Sequence, residues 1–258
     1  MKKKKRRLRK GVIPTFFILL LIILSLAFKI YQSHQRMLSA TYINPFIRDG
    51  EIREWNLVLV NNDHPIKEDY SYSLKEMDNG QKVDSRIYKE LNKMFKDANK
   101  DGISIAVTSG HREREYQEML MNNKINDYIY EGYNKNEAIR LAKKWVMDPG
   151  CSEHEIGLGL DINCEDTSIY DNADTWNWLL NNAYKYGFIK RYPSDKVTIT
   201  GVRNEPWHYR YVGIDAAKKM YEENLCLEEY LQKRFYNLQS SVIISTDSTD
   251  WEVQHEWK

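Results

Sequence analysis

Two short segments hold side chains whose types and spacing suit metal chemistry. The first begins at Ser152 and contains His154 and Asp161, and the second begins at Glu205 and ends at His208. Two histidines and an aspartate leave one tetrahedral position of a zinc ion open for water, and a nearby glutamate can take a proton from that water. We therefore predict that the two histidines and Asp161 bind Zn²⁺, with Glu205 as the catalytic base.

The spacing alone is weak evidence, because a histidine and an aspartate separated by six residues occur often by chance. The pattern around Asp161 strengthens it. Side chains alternate between the two faces of a strand, so Gly157 and Gly159 share a face with Asp161. Such a bare face lets a metal or ligand approach the backbone closely. The opposite face is apolar and holds Ile156, Leu158, Leu160 and Ile162.

The second segment contains a proline. Pro206 has no N–H to donate to a strand, so we expect the chain to be kinked there. A kink would turn Glu205 and His208 toward one site.

Several ordered motifs together resemble a known family. The two segments read Ser152-x-His154-x-x-Gly157-x-x-x-Asp161 and Glu205-x-Trp207-His208. Other matching segments are Trp55 to Asn61, Asp63-His64-Pro65, Ser109-Gly110-His111-Arg112 with Gln117, Tyr186-Gly187-Phe188, Arg191-Tyr192-Pro193, Ile199-Thr200-Gly201 and Tyr209 to Gly213. The set resembles the VanY-type D-alanyl-D-alanine carboxypeptidases, which are zinc peptidases of the bacterial cell wall, over roughly residues 50 to 232.

The resemblance implies a fold and a set of roles. The fold is α+β, with a small antiparallel sheet that carries the zinc between flanking helices, as in D-Ala-D-Ala dipeptidases and the hedgehog signalling domain. His154, Asp161 and His208 match the family's zinc ligands. Glu205 matches its catalytic base.

Three further residues receive roles through the same resemblance. Arg112 matches the arginine placed against the scissile carbonyl oxygen, where a fixed guanidinium stabilises an oxyanion. Ser152 matches a serine near the terminal carboxylate of the substrate. Gln117 matches an amide side chain that either binds the substrate or orders a loop. The alternative for Arg112 is an ordinary surface ion pair with Glu113 or Glu115.

Two features leave alternatives open. His111 stands where the family commonly has tyrosine, and a fourth zinc ligand at this position would close the water site. Cys151 and Cys164 bracket the first segment, and in an exported protein they either form a disulfide or remain small thiols.

The N-terminus predicts export. Residues 2–10 contain eight Lys or Arg, and Val12 to Phe28 carry no charge. Seventeen apolar residues are close to the lower limit for crossing a bilayer. We predict a basic cytoplasmic head at residues 1–11 and a transmembrane anchor at residues 12–31, so that the rest lies outside the cell by the positive-inside rule. The alternative is a cleaved signal peptide and a secreted domain.

The net charge and the order of predicted strands and helices indicate the partner class, the fold class and the domain limits of residues 32–258. Residues 32–258 hold 29 basic and 37 acidic side chains, a net charge of −8, which argues against a nucleic-acid partner. Strands and helices alternate without a regular order, which favours an α+β class. We predict a stalk at residues 32–54, one catalytic domain at residues 55–236, and a tail at residues 237–258.

Hydrophobic patterns place the elements within that domain. Predicted strands are Trp55–Val60, Ile103–Val107, Gly157–Asn163, Val197–Val202 and Trp207–Val212. Predicted helices are Asp84–Ala98, Glu113–Met121, Lys135–Met147, Asp174–Tyr186, Ile214–Asn224 and Glu228–Phe235.

The combined prediction is a membrane-anchored zinc D,D-carboxypeptidase. Its expected substrate is the peptidoglycan stem pentapeptide, from which it removes the C-terminal D-alanine. Two alternatives remain open: an L,D-carboxypeptidase acting on tetrapeptides, and a zinc-stabilised wall-binding module without turnover.

Overall fold

The structure of the protein is a computed structural model that describes residues 54–166 and 173–234. Within these ranges no helix combines the length and the apolar character needed to cross a bilayer. The predicted anchor, most of the predicted stalk and the predicted tail lie outside the described residues.

A four-stranded antiparallel sheet forms the centre of the described domain. Its strands are β3 (Ile105–Ser109), β4 (Gly159–Cys164), β5 (Phe188–Lys190) and β6 (His208–Tyr211), in the spatial order β3-β4-β6-β5. A separate hairpin consists of β1 (Leu74–Glu76) and β2 (Lys82–Asp84). The predicted α+β class with a small antiparallel sheet is confirmed.

Helices surround the sheet. They are α1 (Tyr88–Lys100), α2 (Arg114–Tyr130), α3 (Lys135–Ala142), α4 (Ala173–Asn182), α5 (Val197–Thr200), α6 (Ile214–Glu223) and α7 (residues 227–234). Short 3₁₀ helices lie at Trp55–Leu57, Glu153–Ile156, Ala183–Tyr186 and Ser194–Lys196. Helix α1 follows the predicted periodicity and buries Leu91, Met94 and Ala98.

One hydrophobic core lies against the apolar face of the sheet. Leu160 and Ile162 of β4 are fully buried in it, together with Ile156 and Leu158 just before the strand. This is the apolar face that the sequence alternation predicts. Residues of α1 share this core with β4, and the other face of the strand is left for polar side chains.

Two predicted strands are wrong. Val197–Val202 contains a short helix, Val197–Thr200, which ends at Gly201 in the left-handed region with φ of 73°. Trp55–Val60 begins as a 3₁₀ helix, and the carbonyls of Asn56 and Val58 accept hydrogen bonds from the Arg210 guanidinium instead of from another strand.

Other boundaries differ in length. The second helix runs to Tyr130 instead of Met121, and the third ends at Ala142 instead of Met147. The predicted helix over 174–186 ends at Asn182 and continues as a 3₁₀ turn. The hairpin β1–β2 and the strand β5 were not among the predicted elements.

Candidate metal centre

Strand pairing brings two of the predicted ligands together. Asp161 of β4 and His208 of β6 are direct partners in the antiparallel register. The Asp161 Oδ1 atom lies 3.4 Å from His208 Nδ1 and 3.5 Å from His154 Nε2. The side chains of directly opposed residues share one face of a sheet, so the carboxylate and the imidazole point to the same place.

The three ligand atoms fit one zinc ion. They all lie within 4.8 Å of one another. Ligands about 2.0–2.1 Å from a tetrahedral ion are about 3.3 Å apart, close to the two distances that Asp161 makes. Two imidazole nitrogens and a carboxylate oxygen are a donor set that zinc prefers. The structure therefore brings together the predicted set of His154, Asp161 and His208.

Local backbone chemistry fixes the position of His154. The Ser152 and Glu155 side chains form a reciprocal capping box that begins the 3₁₀ helix, and Gly157 ends it with φ of 67°. The His154 Nδ1 atom lies 2.8 Å from the carbonyl oxygen of Gly110. A carbonyl only accepts, so Nδ1 carries the proton and the lone pair of Nε2 faces Asp161.

Glu153 contacts the opposite side of the second imidazole. Its Oε2 lies 3.5 Å from His208 Nε2, while its Oε1 accepts hydrogen bonds from Arg191 Nε (2.7 Å) and Arg210 Nη1 (2.9 Å). A Cβ at Gly159 would lie 2.8 Å from Glu153 Cβ and 3.1 Å from His208 Nε2. The glycine therefore gives this face the space that the sequence pattern predicts.

Glu205 lies beside the ligand cluster. Its Oε2 is 3.6 Å from His208 Nδ1, across a turn formed by Pro206 and Trp207. The expected kink is thus a turn that precedes β6. Burial raises the pKa of Glu205 to about 7, with a further contribution from the Asp161 charge and opposition from His208 and Arg112. A carboxylate of this pKa can accept and return a proton near neutral pH.

Arg112 belongs to the site and not to the surface pair considered as its alternative. Its Nη2 donates to Asp161 Oδ2 at 2.8 Å and its Nε to Ser109 Oγ at 3.0 Å. Nη1 lies 3.5 Å from the side-chain oxygen of Gln117, whose amide nitrogen donates to the Met147 carbonyl at 2.9 Å. Gln117 thereby links Arg112 to the loop after α3.

Charges around the metal position shift the pKa values of the ligands. Burial alone would lower the pKa of His208, but the nearby carboxylates of Asp161 and Glu153 raise it to about 9. Burial lowers the pKa of His154, with a smaller opposing effect of Asp161. The pKa of Asp161 lies well below its ordinary value because the imidazoles outweigh burial. The metal-free centre therefore holds one imidazolium beside an ionised carboxylate.

A cavity of about 350 Å³ connects all of these groups. Every predicted site residue lines it: Arg112, Gln117, Ser152, His154, Asp161, Glu205 and His208. Tyr192, whose ring centroid is 4.9 Å from that of His208, and Trp145 also line it. The cavity extends along α2 as far as Lys124 and Asp127, which the sequence did not single out.

Two alternatives fail on geometry. His111 Nε2 lies 3.2 Å from the Tyr72 hydroxyl, and His111 is not one of the three clustered ligands, so the fourth-ligand alternative is wrong. Cys151 and Cys164 form no disulfide. Cys151 instead packs with Met147 in a small buried cluster.

Sequence comparison identifies the family. Residues 80–214 match the family described as VanY: D-alanyl-D-alanine carboxypeptidase. The chain belongs to the VanY family. A D-alanyl-D-alanine carboxypeptidase of Enterococcus faecalis is 47% identical over 182 residues, which are 70% of this chain and 68% of that protein.

Solved structures of VanY relatives share the fold. VanYB in complex with D-alanine-D-alanine has a TM-score of 0.67 at 46% identity, covering 69% of this chain and 98% of that one. A mutant of the vancomycin resistance D,D-pentapeptidase VanY in complex with Zn(II) has a TM-score of 0.66 at 46% identity, covering 69% of this chain and 99% of that one. The LD-carboxypeptidase LdcB has a TM-score of 0.57 at 33% identity, covering 70% of this chain and 88% of that one.

Proposed function

We propose that this chain is a zinc-dependent D,D-carboxypeptidase that removes the C-terminal D-alanine from peptidoglycan stem pentapeptides. The observation that carries the proposal is the convergence of the three zinc ligands with Glu205 and Arg112 on one cavity. A structural zinc site needs neither a base nor a guanidinium, so this arrangement favours turnover over wall binding alone. The VanY relatives indicate which peptide bond is cleaved: one is a D,D-pentapeptidase, and another is bound to D-alanine-D-alanine.

Glu205 is the proton carrier of the proposed reaction. When bound, zinc supplies Lewis-acid chemistry that acidifies water and polarises the scissile carbonyl. Oε2 of Glu205 takes the proton from the attacking water and then gives it to the leaving amine of D-alanine. In the metal-free protein burial raises the pKa of Glu205 to about 7, so this carboxyl group exchanges a proton near neutral pH.

Arg112 and two neighbours handle the substrate. The Arg112 guanidinium is held by Asp161 and Ser109, so it can stabilise developing negative charge on the carbonyl oxygen without reorganising. Ser152, whose Oγ accepts from His154 N at 3.3 Å, offers a hydroxyl proton to the terminal carboxylate. Gln117 contacts Arg112 and the Met147 carbonyl, and so helps to hold the guanidinium at the cavity wall.

We also propose that the domain acts outside the cell on a single N-terminal anchor. The support is the basic segment at residues 2–10 followed by the uncharged segment Val12 to Phe28. Stem peptides lie on that side of the membrane, and a cytosolic dipeptidase would need no such leader. Labelling of an introduced cysteine in the domain by a membrane-impermeant reagent on intact cells tests this location.

The activity test uses the zinc-loaded full-length protein and defined stem peptides. Mass spectrometry should show loss of one D-alanine from the pentapeptide and little change in the tetrapeptide. Glu205→Gln should lose at least about a hundredfold in rate while it keeps its zinc, because the amide cannot accept the proton. Unchanged release of D-alanine by this variant would remove Glu205 from the mechanism.

The second candidate is L,D-carboxypeptidase activity on tetrapeptides. The similarity to LdcB favours it, although the identity of 33% is lower than the 46% shared with the VanY structures. Faster loss of D-alanine from the tetrapeptide than from the pentapeptide would establish this alternative. Wall binding with no hydrolysis of either peptide would contradict both activities.

A further inference from the structure

A second cavity lies on the face of the sheet opposite the metal centre. It has a volume of about 170 Å³ and is lined by residues of β5, β6, α4 and α6. Tyr209 lines it, and because Tyr209 follows His208 in β6, the two side chains point to opposite faces. The other walls are largely apolar and include Leu179, Phe188, Met220 and Leu225.

The Tyr209 hydroxyl has no hydrogen-bond partner among the described residues. Its side chain is only 1% exposed. Buried hydroxyl groups in proteins almost always have a partner, and an exception calls for a specific cause. A ligand that accepts a hydrogen bond within the cavity is such a cause.

Lys190 adds a cation to the walls of the same cavity. It is the direct partner of Tyr209 in the β5–β6 register, so both side chains lie on the cavity side of the sheet. Within residues 54–166 and 173–234, no carboxylate forms an ion pair with Lys190. Burial lowers the pKa of Lys190, and Asp195 opposes the shift only in part. The ammonium is therefore partly removed from water, and Asp195 compensates its charge only in part.

Aromatic and apolar side chains complete the cavity. Tyr184 and Tyr221 stack with ring centroids 3.8 Å apart and an interplanar angle of 10°. Leu180 and Tyr221 are each nearly half exposed, so the cavity opens to solvent beside them. An apolar cavity of about 150 Å³ holds a benzene ring, so this one has room for a ring and a short polar arm.

We propose that this cavity binds a small aromatic carboxylate, with its ring on the apolar wall and its carboxylate between Lys190 and the Tyr209 hydroxyl. The same chemistry exists in a free aromatic acid and at a peptide C-terminus that ends in phenylalanine. The site is independent of the proposed hydrolysis, because it lies on the other face of β6 from the metal ligands.

Methionine methyl groups provide separate reporters for the two cavities. Met220 lines the second cavity and Met147 lines the metal cavity. Phenylacetate is titrated into zinc-loaded full-length protein with ¹³C-labelled methionine methyls. A ligand of this size is expected to have a Kd of the order of 1 mM. The Met220 signal should move saturably, and it should do so independently of any movement at Met147, which reports carboxylate binding to zinc.

Variants and analogues test the assigned contacts. Lys190→Met should weaken phenylacetate binding at least tenfold and Tyr209→Phe about threefold, whereas Lys100→Met, at an exposed lysine of α1 that does not line the cavity, should have no effect. Phenylacetamide, without the charge, should bind the wild type at least tenfold more weakly than phenylacetate. Tighter binding of N-acetyl-L-phenylalanine than of phenylacetate would assign the site to a chain terminus, and weaker binding would assign it to a free acid.

Two results would overturn the proposal. One is the absence of a saturable shift at Met220. The other is equal affinity of the wild type for phenylacetate and phenylacetamide, which needs no variant and would show that the cavity does not recognise the carboxylate.

Discussion

Glu153 Oε2 lies 3.5 Å from His208 Nε2, on the side of the imidazole that faces away from the metal position. The same carboxylate accepts hydrogen bonds from the fully buried Arg191 and Arg210, and Arg191 also binds Glu228 through two hydrogen bonds of 2.9 and 2.6 Å. The orientation of a metal ligand thus depends on a buried network of four charged groups. An acidic partner behind a ligating imidazole fixes its tautomer and its ring orientation.

Replacement of Glu153 by glutamine should therefore destabilise the fold. The change leaves two buried guanidinium groups without their shared anion, and breaking a buried pair in this way costs about 3–5 kcal/mol. Urea unfolding of the metal-free protein measures the effect. The control is Glu137→Gln, which removes an exposed pair with Arg140 and should cost at most about 1 kcal/mol. Equal stability of the two variants would show that the network does not support the fold.

The sequence predicts the metal centre well because its ligands lie in contiguous motifs. His154 and Asp161 are seven positions apart on either side of Gly157, and alternation along β4 already separates polar from apolar side chains. The role of Glu153 was not predicted, although it lies between two predicted site residues. Its partners Arg191 and Arg210 are 38 and 57 positions away, and no local pattern links them to it.

The two incorrectly predicted strands also reflect contacts that are not local in the sequence. The β-branched residues between Val197 and Thr200 favour a strand by propensity, but Val197 and Ile199 are exposed and lack a neighbouring strand. Thr200 Oγ1 also donates to the Lys196 carbonyl at 3.2 Å, as threonine does within a helical turn. The structure of these segments depends on contacts with residues far away in the sequence, which a short stretch of sequence does not reveal.

Arg112 should be irreplaceable by lysine. A lysine keeps the charge but cannot bind Asp161 and Ser109 at once while it faces a carbonyl oxygen, since the guanidinium fork is lost. Arg112→Lys is expected to lower kcat by about 10²–10³-fold, the usual loss for an oxyanion donor. Steady-state kinetics on the stem pentapeptide measure this loss.

The control for that experiment is the neighbouring arginine. Arg114 is largely exposed and contacts Glu155, so Arg114→Lys should retain nearly full activity. Zinc content measured on both variants separates a catalytic defect from metal loss. A kcat for Arg112→Lys within a factor of two of the wild type would contradict the assigned role.

Tyr186 makes the fold sensitive to alkaline pH. Its hydroxyl donates to Asp97 Oδ2 at 2.8 Å, and burial together with the Asp97 charge raises the pKa of Tyr186 to about 12. The unfolded chain ionises near pH 10 while the folded protein holds the proton, so stability is complete below pH 10 and falls between pH 10 and 12. Tyr186→Phe cannot ionise and should lose less stability over this interval. Thermal unfolding of both proteins at pH 8, 10 and 11.5 measures the difference, and parallel losses would contradict it.

Zinc affinity should rise with pH because one proton competes with the metal. In the metal-free protein the carboxylates of Asp161 and Glu153 raise the pKa of His208 to about 9, so the imidazole is protonated at neutral pH. Zinc binds only the neutral ring, and binding must release this proton. The affinity is expected to increase about tenfold per pH unit up to pH 9 and to level off above it.

Competition with a chromophoric chelator at pH 6.5, 7.5 and 8.5, corrected for the chelator's own protonation, measures this slope. Glu153→Gln removes one of the two carboxylates that hold the proton, so its slope should flatten at a lower pH than that of the wild type. His64→Gln, which changes a histidine in the turn at Asn61 that does not line the metal cavity, should leave the slope unchanged. A wild-type affinity that is constant from pH 6.5 to 8.5 would mean that His208 is already neutral, and the proton assignment at the metal centre would be wrong.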